Sequence, residues 1–345
     1  MRRHKHLYER IISFQNLLLA SRLAARAKRF KIKTARFNLQ LERELWGLHY
    51  QLETKTYEPG AYQHFWIYEP KKRLISAAPY RDRVVHHAIH NILEPIFDPT
   101  FIHDSYATRK NKGTHAAIDR FQEFAKKSKY ALKCDIRQYF PSINRQIVFS
   151  LIQRKVACPD TLWLIQKIIL FGGQSPQAND QSLGIPIGNL TSQFFANIYL
   201  DGLDHFIKEK LRCKYYLRYM DDFVVLHDDK SFLWLVKKDI QDYLEGLHLQ
   251  LHENKCRIFS TDQGIPFLGQ VVSSSRRRLK RDNVIRFKRR MRCFQYLYGH
   301  RKIDWKHLHQ SIQSWIGHAK HSDSYRLREL IFGEFVFKRF DQEGD

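Results

Sequence analysis

The stretch Tyr215-Tyr216-Leu217-Arg218-Tyr219-Met220-Asp221-Asp222-Phe223-Val224-Val225-Leu226 constrains this chain more than any other. Two adjacent carboxylates stand between short runs rich in aromatic and β-branched residues. Such side chains suit a pleated, half-buried surface, so the runs predict two strands joined by a tight four-residue hairpin turn. Two acids crowded at a hairpin tip repel each other and lose hydration. A divalent cation removes that penalty, and Mg²⁺ takes hard oxygen ligands of this kind. An Asp-Asp pair is ordinarily an exposed turn, but apolar flanks on both sides speak against a solvated loop.

A third carboxylate completes the pattern. Ala131-Leu132-Lys133-Cys134-Asp135-Ile136 predicts a buried strand ending in an acid, and Arg137 to Ile143 turns away from it into a helix. Alone, Asp135 is a cap or turn residue. Paired with Asp221, 86 residues later, it gains another meaning. Two-metal phosphoryl transfer needs carboxylates from separate elements to hold two cations roughly 4 Å apart. One cation lowers the pKa of the attacking hydroxyl and the other neutralises a triphosphate, so no histidine base is required. Neither a Walker loop nor a dinucleotide-binding glycine fingerprint is present, which leaves kinase and dehydrogenase chemistry without support.

Charge points to the partner. Lys and Arg outnumber Asp and Glu by 59 to 35 in a chain of 345 residues, a net charge of +24 that attracts phosphate backbones. A membrane surface would also attract it, but no run of roughly 18 apolar residues and no signal peptide is present. The length suggests two or three domains. The five cysteines are odd in number and far apart, without a Cys-x-x-Cys pair, so free thiols in a reducing cytosol are expected rather than a zinc site or disulfide framework.

Residues 1 to about 50 predict helices, and the first 36 residues carry eleven Lys or Arg against one acid, Glu9. Phe65 to Tyr68 and Arg73 to Ala77 predict a β-hairpin around a turn at Glu69 to Lys72, with Lys71, Lys72 and Arg73 placed to reach over a triphosphate. A helix is expected from Val84 to Leu93, and a polar loop from Gln174 to Ser182. Leu183-Gly184-Ile185-Pro186-Ile187-Gly188-Asn189 then opens a helix over Phe194 to Ile207, which brings backbone amides close to a phosphate or base. Phe232 to Leu244 predicts a helix, Leu247 to His252 alternates like a strand, and Pro266 to Val271 predicts a short hairpin. From Arg276 to Lys302 there are twelve Lys or Arg and one acid, Asp282, interleaved with aromatics at helical period. This block suits a helical domain gripping a duplex backbone, with Arg276, Arg277, Arg278, Lys280, Arg281, Lys288, Arg289 and Arg290 on phosphates.

Over roughly residues 57 to 330, these motifs and their order resemble the reverse transcriptases. The resemblance implies an α+β right-hand polymerase with an antiparallel palm sheet and a helical thumb. The expected division is a basic helical extension over 1–56, fingers over 57–130 and 144–183, palm over 131–143 and 184–272, and a basic helical thumb over 273–345. Asp135, Asp221 and Asp222 match the catalytic acids, with the Ile136 carbonyl completing one of two Mg²⁺ sites (Mn²⁺ being the alternative ion). Phe140 matches the steric gate that crowds a ribose 2′-hydroxyl, Lys255 the lysine near the leaving pyrophosphate, and Phe267-Leu268-Gly269 the primer grip. Arg73 and Lys72 match nucleotide contacts of the fingers, and Ile187, Gly188 and Gln193 line the loop facing nucleotide and template.

That loop carries the finer resemblance. Intron reverse transcriptases of bacteria usually have Pro-Gln-Gly with a later Ser-Pro, whereas here Ile187 stands at the Gln position and Gln193 follows the Ser. Ile-Gly-x-x-x-Ser-Gln, Tyr68 to Ser76 and Lys112-Gly113-Thr114-His115-Ala116 are similar to the diversity-generating retroelement type. That type copies a template RNA with frequent errors opposite adenine, beside a small basic accessory protein. The related alternative is an antiphage-defence enzyme paired with a structured non-coding RNA. Both imply a bacterial or phage-encoded cytoplasmic enzyme binding RNA, RNA–DNA duplex and dNTPs, with an accessory protein or second subunit and no membrane. A complete mobile intron protein and a retron enzyme fit less well. A silent RNA-binding scaffold would require loss of the acids, all of which are present. An RNA-dependent RNA polymerase is opposed by the bulk of Phe140 at the gate.

Overall fold

The computed structural model describes residues 3–68, 72–171 and 182–340. Four helices come first: α1 (Tyr8–Ile12), α2 (Phe14–Ala24), α3 (Ile32–Leu39) and α4 (Leu41–Glu53). Strands β1 (Gln63–Ile67) and β2 (Arg73–Ala77) pair antiparallel, and helices α5 (Tyr80–Phe97) and α6 (Thr114–Ala125) follow. Next are β3 (Tyr130–Asp135), the single turn α7 (Tyr139–Ser142), α8 (Arg145–Gln153), α9 (Pro159–Phe171) and α10 (Leu190–His205). The hairpin β4 (Tyr215–Tyr219) and β5 (Asp222–His227) leads to α11 (Lys230–Glu245), β6 (Arg257–Ser260), β7 (Ile265–Phe267), β8 (Gln270–Val272) and β9 (Arg277–Leu279). The chain ends in α12 (Arg281–Gly299), α13 (Trp305–Ala319) and α14 (Tyr325–Gly333).

The central antiparallel sheet has the order β4-β5-β3-β6. The interior of its strands is mostly apolar, because both faces are covered. Leu132, Cys134, Tyr216, Phe223 and Val225 face one core, while Ala131, Leu217, Val224 and Leu226 face a second one with α6 and the β7–β8 hairpin. Alternation along each strand divides the side chains between those cores. A third core, around Phe287, Met291, Phe294, Leu308 and Ile331, belongs to the C-terminal helices.

The N-terminal helices share the first core with α5 and the sheet. Asn16 of α2 donates to the Ala88 carbonyl of α5 at 3.0 Å, and Tyr80 donates to the Ser21 carbonyl at 2.9 Å. Several helix starts are written locally: Asn144 accepts from the Gln146 and Ile147 amides before α8, and Asp229 from the Ser231 amide before α11.

One strand reading fails. Leu247 to His252 forms no strand beyond a single bridge between Leu251 and Ile136. The Leu247 and Leu249 amides instead donate to the Leu244 carbonyl that ends α11, and His248 takes a left-handed φ of 55°. Terminating the helix takes the Leu247 and Leu249 amides, and only Gln250 and His252 are left to bond the backbone of Arg137 and Asp135 at the end of β3. Lys71 and most of the polar stretch 174–182 lie outside the described residues.

Candidate active site

The first two acids meet by strand register. Asp135 ends β3 and stands directly opposite Asp222, the first residue of β5. Asp221 sits at the tip of a tight hairpin, where Tyr219 pairs with Asp222 and only Met220 and Asp221 form the loop. The Asp221 carbonyl accepts from the Ile136 amide at 3.2 Å, which ties the hairpin tip to the residue following Asp135.

That tip needs support, because Met220 adopts φ of 58°. A left-handed conformation costs an L-residue with a Cβ about 1–2 kcal/mol, so surrounding contacts must hold it. Arg218 supplies one. Its guanidinium donates to the Met220 carbonyl at 3.1 Å and to the Asn197 side chain at 3.2 Å, both from Nη1. Nε and Nη2 clamp Asp204 of α10 at 2.7 and 2.6 Å, and both side chains are fully buried. Burial disfavours the charge on Arg218, but Asp204 more than offsets this and holds the pKa above the ordinary arginine value. Tyr216 adds a hydrogen bond to Asp204 at 2.6 Å. Backbone pairing of Arg218 with Asp104 and Tyr106 completes the anchorage.

Lysines neutralise the acids. Lys255 Nζ bonds the Asp135 carboxylate, and Lys133 Nζ lies 3.2 Å from Asp222 Oδ1. Among the described residues no group of three or more His, Cys, Asp or Glu side chains is arranged to hold a metal ion. The donor set itself fits a hard divalent cation, since it is all oxygen and already draws two cationic neighbours. The side chains stand in an ion-paired arrangement, with Lys255 on Asp135 and Lys133 on Asp222.

Phe140 is half-buried beside Tyr139, and its carbonyl accepts from the Ile185 amide at 3.0 Å. The loop before α10 thereby rests on the turn that follows the first acid. Buried Arg145 braces the same loop from behind by donating to the Gly184 and Leu183 carbonyls at 2.8 and 2.9 Å. In front, the Ile187 carbonyl accepts from the Ser76 amide of β2 at 2.9 Å. Gly188 lies at φ of 116°, and a Cβ there would come within 2.9 Å of Ile75 Cγ2. Gln193 accepts from Thr108 at 3.4 Å. Arg73 and Lys72 are exposed at the start of β2, with the Lys72 ammonium 4.5 Å from the Trp66 ring centre.

Phe267 and Leu268 belong to the second core rather than to the acid cluster. Leu268 and Gly269 make a two-residue turn with φ of 45° and 87°, and the Gly269 carbonyl accepts from Asn283 of α12 at 2.9 Å. Of the basic block, Arg276, Arg278, Lys280, Arg281, Arg289 and Arg290 are exposed. Arg277 is committed to Asp119 and Gln122 of α6, and Lys288 to Glu334 at 2.6 Å. Arg218, Asp204, Asn197 and Lys133 were not singled out from sequence. The available signal was Arg218 itself, a charge inside an otherwise apolar strand, which demands a buried counter-ion.

The class follows from this sheet, its acids and the relatives. Residues 68–272 match the family model described as reverse transcriptase (RNA-dependent DNA polymerase), and the chain belongs to that family. Apo telomerase from Candida tropicalis shares its fold at a TM-score of 0.50 and 12% identity, over 66% of this chain and 49% of that one. The fold is thus the right hand of reverse transcriptases.

Among curated relatives, Protein YkfC of Escherichia coli K12 is 23% identical over 265 residues, covering 64% of this chain and 69% of that protein. The group II intron-encoded protein LtrA of Lactococcus lactis is 27% identical over 160 residues, which are 45% of this chain and 27% of LtrA. A putative COX1/OXI3 intron 2 protein of Saccharomyces cerevisiae is 22% identical over 58% of this chain and 30% of its own length. The match thus spans most of YkfC but under a third of the two intron proteins. Among the described residues no helix is long and apolar enough to cross a membrane.

Proposed function

We propose that this chain extends a primer 3′-end with deoxynucleotides on an RNA template, and that it serves the error-prone copying of a diversity-generating retroelement. The carrying observation is the register that sets Asp135 opposite Asp222 with Asp221 at the adjoining hairpin tip. These three carboxylates, with the Ile136 carbonyl, would hold two Mg²⁺ ions. When bound, such ions acidify the primer hydroxyl and neutralise the triphosphate.

The chain's own residues do the rest. Arg218 holds the acid-bearing hairpin in place through the Met220 carbonyl. Lys255 moves from Asp135 towards the departing pyrophosphate, a transfer between two anionic partners within one site. Lys72 and Arg73 bind the triphosphate, Phe140 crowds a 2′-hydroxyl, and Phe267 to Gly269 positions the primer. Gly188 and Gln193 shape the loop at the nascent base pair, where Ile187 withholds the polar contact a glutamine would make. Exposed Arg276, Arg278, Lys280, Arg281, Arg289 and Arg290 bind phosphates of the RNA–DNA duplex. In this reading residues 1–56 are a basic helical extension, 57–130 and 144–183 form the fingers, 131–143 and 184–272 are palm, and 273–345 are thumb. The enzyme works in the cytoplasm with a small accessory protein.

The test is sequencing of DNA made in cells by the wild type beside Asp221→Ala. Copies of one RNA segment with substitutions concentrated at adenines, absent from the variant, are expected. A uniform product copied from a small structured RNA would replace the retroelement role with antiphage defence. Equal DNA yield from Asp221→Ala would overturn the assignment of the acids. RNA affinity of the variant is expected to stay near wild type, because phosphate contacts carry it.

A further inference from the structure

Cys134 immediately precedes Asp135, and Cys256 lies between Lys255 and the first residue of β6. The β3–β6 ladder runs from Tyr130 opposite Ser260 to Lys133 opposite Arg257, and one further step sets Cys134 opposite Cys256. Their sulfurs are 2.8 Å apart, closer than unbonded sulfurs ordinarily stand, and the residues are 0% and 3% exposed. Residues directly opposed in an antiparallel pair have Cα atoms about 4.5–5.5 Å apart, inside the roughly 4.4–6.8 Å that a disulfide spans. The cross-strand register and the sulfur separation are therefore compatible with a bond once an oxidant removes two electrons.

Access comes from the topology. β6 is an edge strand bonded to β3 alone, so it can open without disrupting the β3–β5–β4 ladders. Such local opening requires less free energy than global unfolding. Cys158 and Cys213 are buried elsewhere, and Cys293 is the exposed thiol of the chain's described residues.

We propose that Cys134 and Cys256 form a redox-active dithiol that a small-molecule disulfide of the glutathione class converts into a cross-strand bond beneath the acid cluster. Cys256, on the edge strand, attacks one sulfur of the oxidant, giving a mixed disulfide and releasing one small thiol. Cys134 then attacks the Cys256 sulfur and releases the second small thiol. The protein loses two thiol protons and two electrons, and the oxidant leaves as two thiols. The bond closes a long loop between residues 122 apart and ties the edge strand to the strand that bears Asp135. This inference is independent of the template and biological role.

The full chain is equilibrated in mixtures of oxidised and reduced glutathione, then alkylated under denaturing conditions and mapped without reduction. The expected result is a peptide pair joining Cys134 to Cys256, with three of the five cysteines still alkylated or carrying glutathione. A dithiol reductant restores all five thiols. Oxidation also raises the melting temperature of the wild type by several degrees, a shift that disappears in Cys256→Ala. The proposal is overturned if Cys134 and Cys256 stay alkylatable under conditions that convert Cys293. It is equally overturned if either keeps glutathione without the link, or joins a different cysteine. Should Cys256→Ala fail to fold, the wild-type peptide map decides alone.

Discussion

Arg218→Met tests the support of the acid-bearing hairpin. The substitution keeps an unbranched apolar stem but removes the charge, leaving Asp204 fully buried with Tyr216 as its remaining side-chain hydrogen-bond donor among the described residues. Breaking a buried ion pair from one side costs about 3–5 kcal/mol, since the surviving charge is uncompensated. A chain of this kind holds only about 5–15 kcal/mol of net stability, so the loss is large. It is measured as the shift in urea midpoint multiplied by the unfolding slope. Removing both charges in Arg218→Met with Asp204→Leu should recover much of the loss, because no stranded charge remains. The recovered double variant also separates stability from catalysis. It lacks the hydrogen bond to the Met220 carbonyl, so kcat for primer extension is expected to fall at least tenfold, equivalent to about 1.4 kcal/mol, while RNA affinity holds. A single-variant cost below about 1 kcal/mol, or a double variant as unstable as the two single losses added together, would refute the buried-pair reasoning. A stable double variant with wild-type kcat would refute the positioning role.

Three further perturbations address the loop before α10 and a carboxylate, Asp201, on that helix. Ile187→Gln is expected to lower misincorporation opposite adenine in a primer-extension fidelity assay, and unchanged error rates would remove Ile187 from base selection. Gly188→Ala forces a Cβ to 2.9 Å from Ile75 Cγ2 at a left-handed φ, so it should destabilise the chain by about 1–3 kcal/mol and weaken dNTP binding, read as a raised KM. Asp201 has its carboxyl raised from 3.8 to about 6 by burial first and the charge of Asp204 second. A carboxyl whose folded pKa exceeds its unfolded value binds its proton more tightly when folded. Its stabilising contribution is complete below about pH 4 and is lost as pH rises through about 6. Asp201→Asn should therefore stabilise at pH 8, by up to about 3 kcal/mol, and have little effect at pH 4 in paired denaturation curves. An equal effect at both pH values would refute that linkage.

Local chemistry made much of this protein legible in its sequence. β-branched and aromatic runs around Asp221-Asp222 define a hairpin whatever surrounds it, and Gly-Ile-Pro-Ile-Gly marks a loop entering a helix. The strand ending at Asp135 was equally visible, whereas the basic block read as helical from Arg276 to Lys302 is a helix only over Arg281–Gly299, with Arg277–Leu279 a short strand paired with β8. The same local rules misread Leu247 to His252, where alternation suggested a strand but helix termination took the backbone groups. Tertiary structure alone decided what lies opposite what. Register put Asp135 against Asp222 and Cys134 against Cys256, partners separated by most of the central sheet's sequence. Burial decided that Arg218 would face Asp204 and Met220 rather than solvent. It also decided that Arg277 and Lys288 would meet acids of this chain, while Arg276, Arg278, Arg281 and Arg289 stayed exposed. The physical reason is that propensity acts over a few residues, whereas a charge's role depends on which distant groups share its dielectric surroundings.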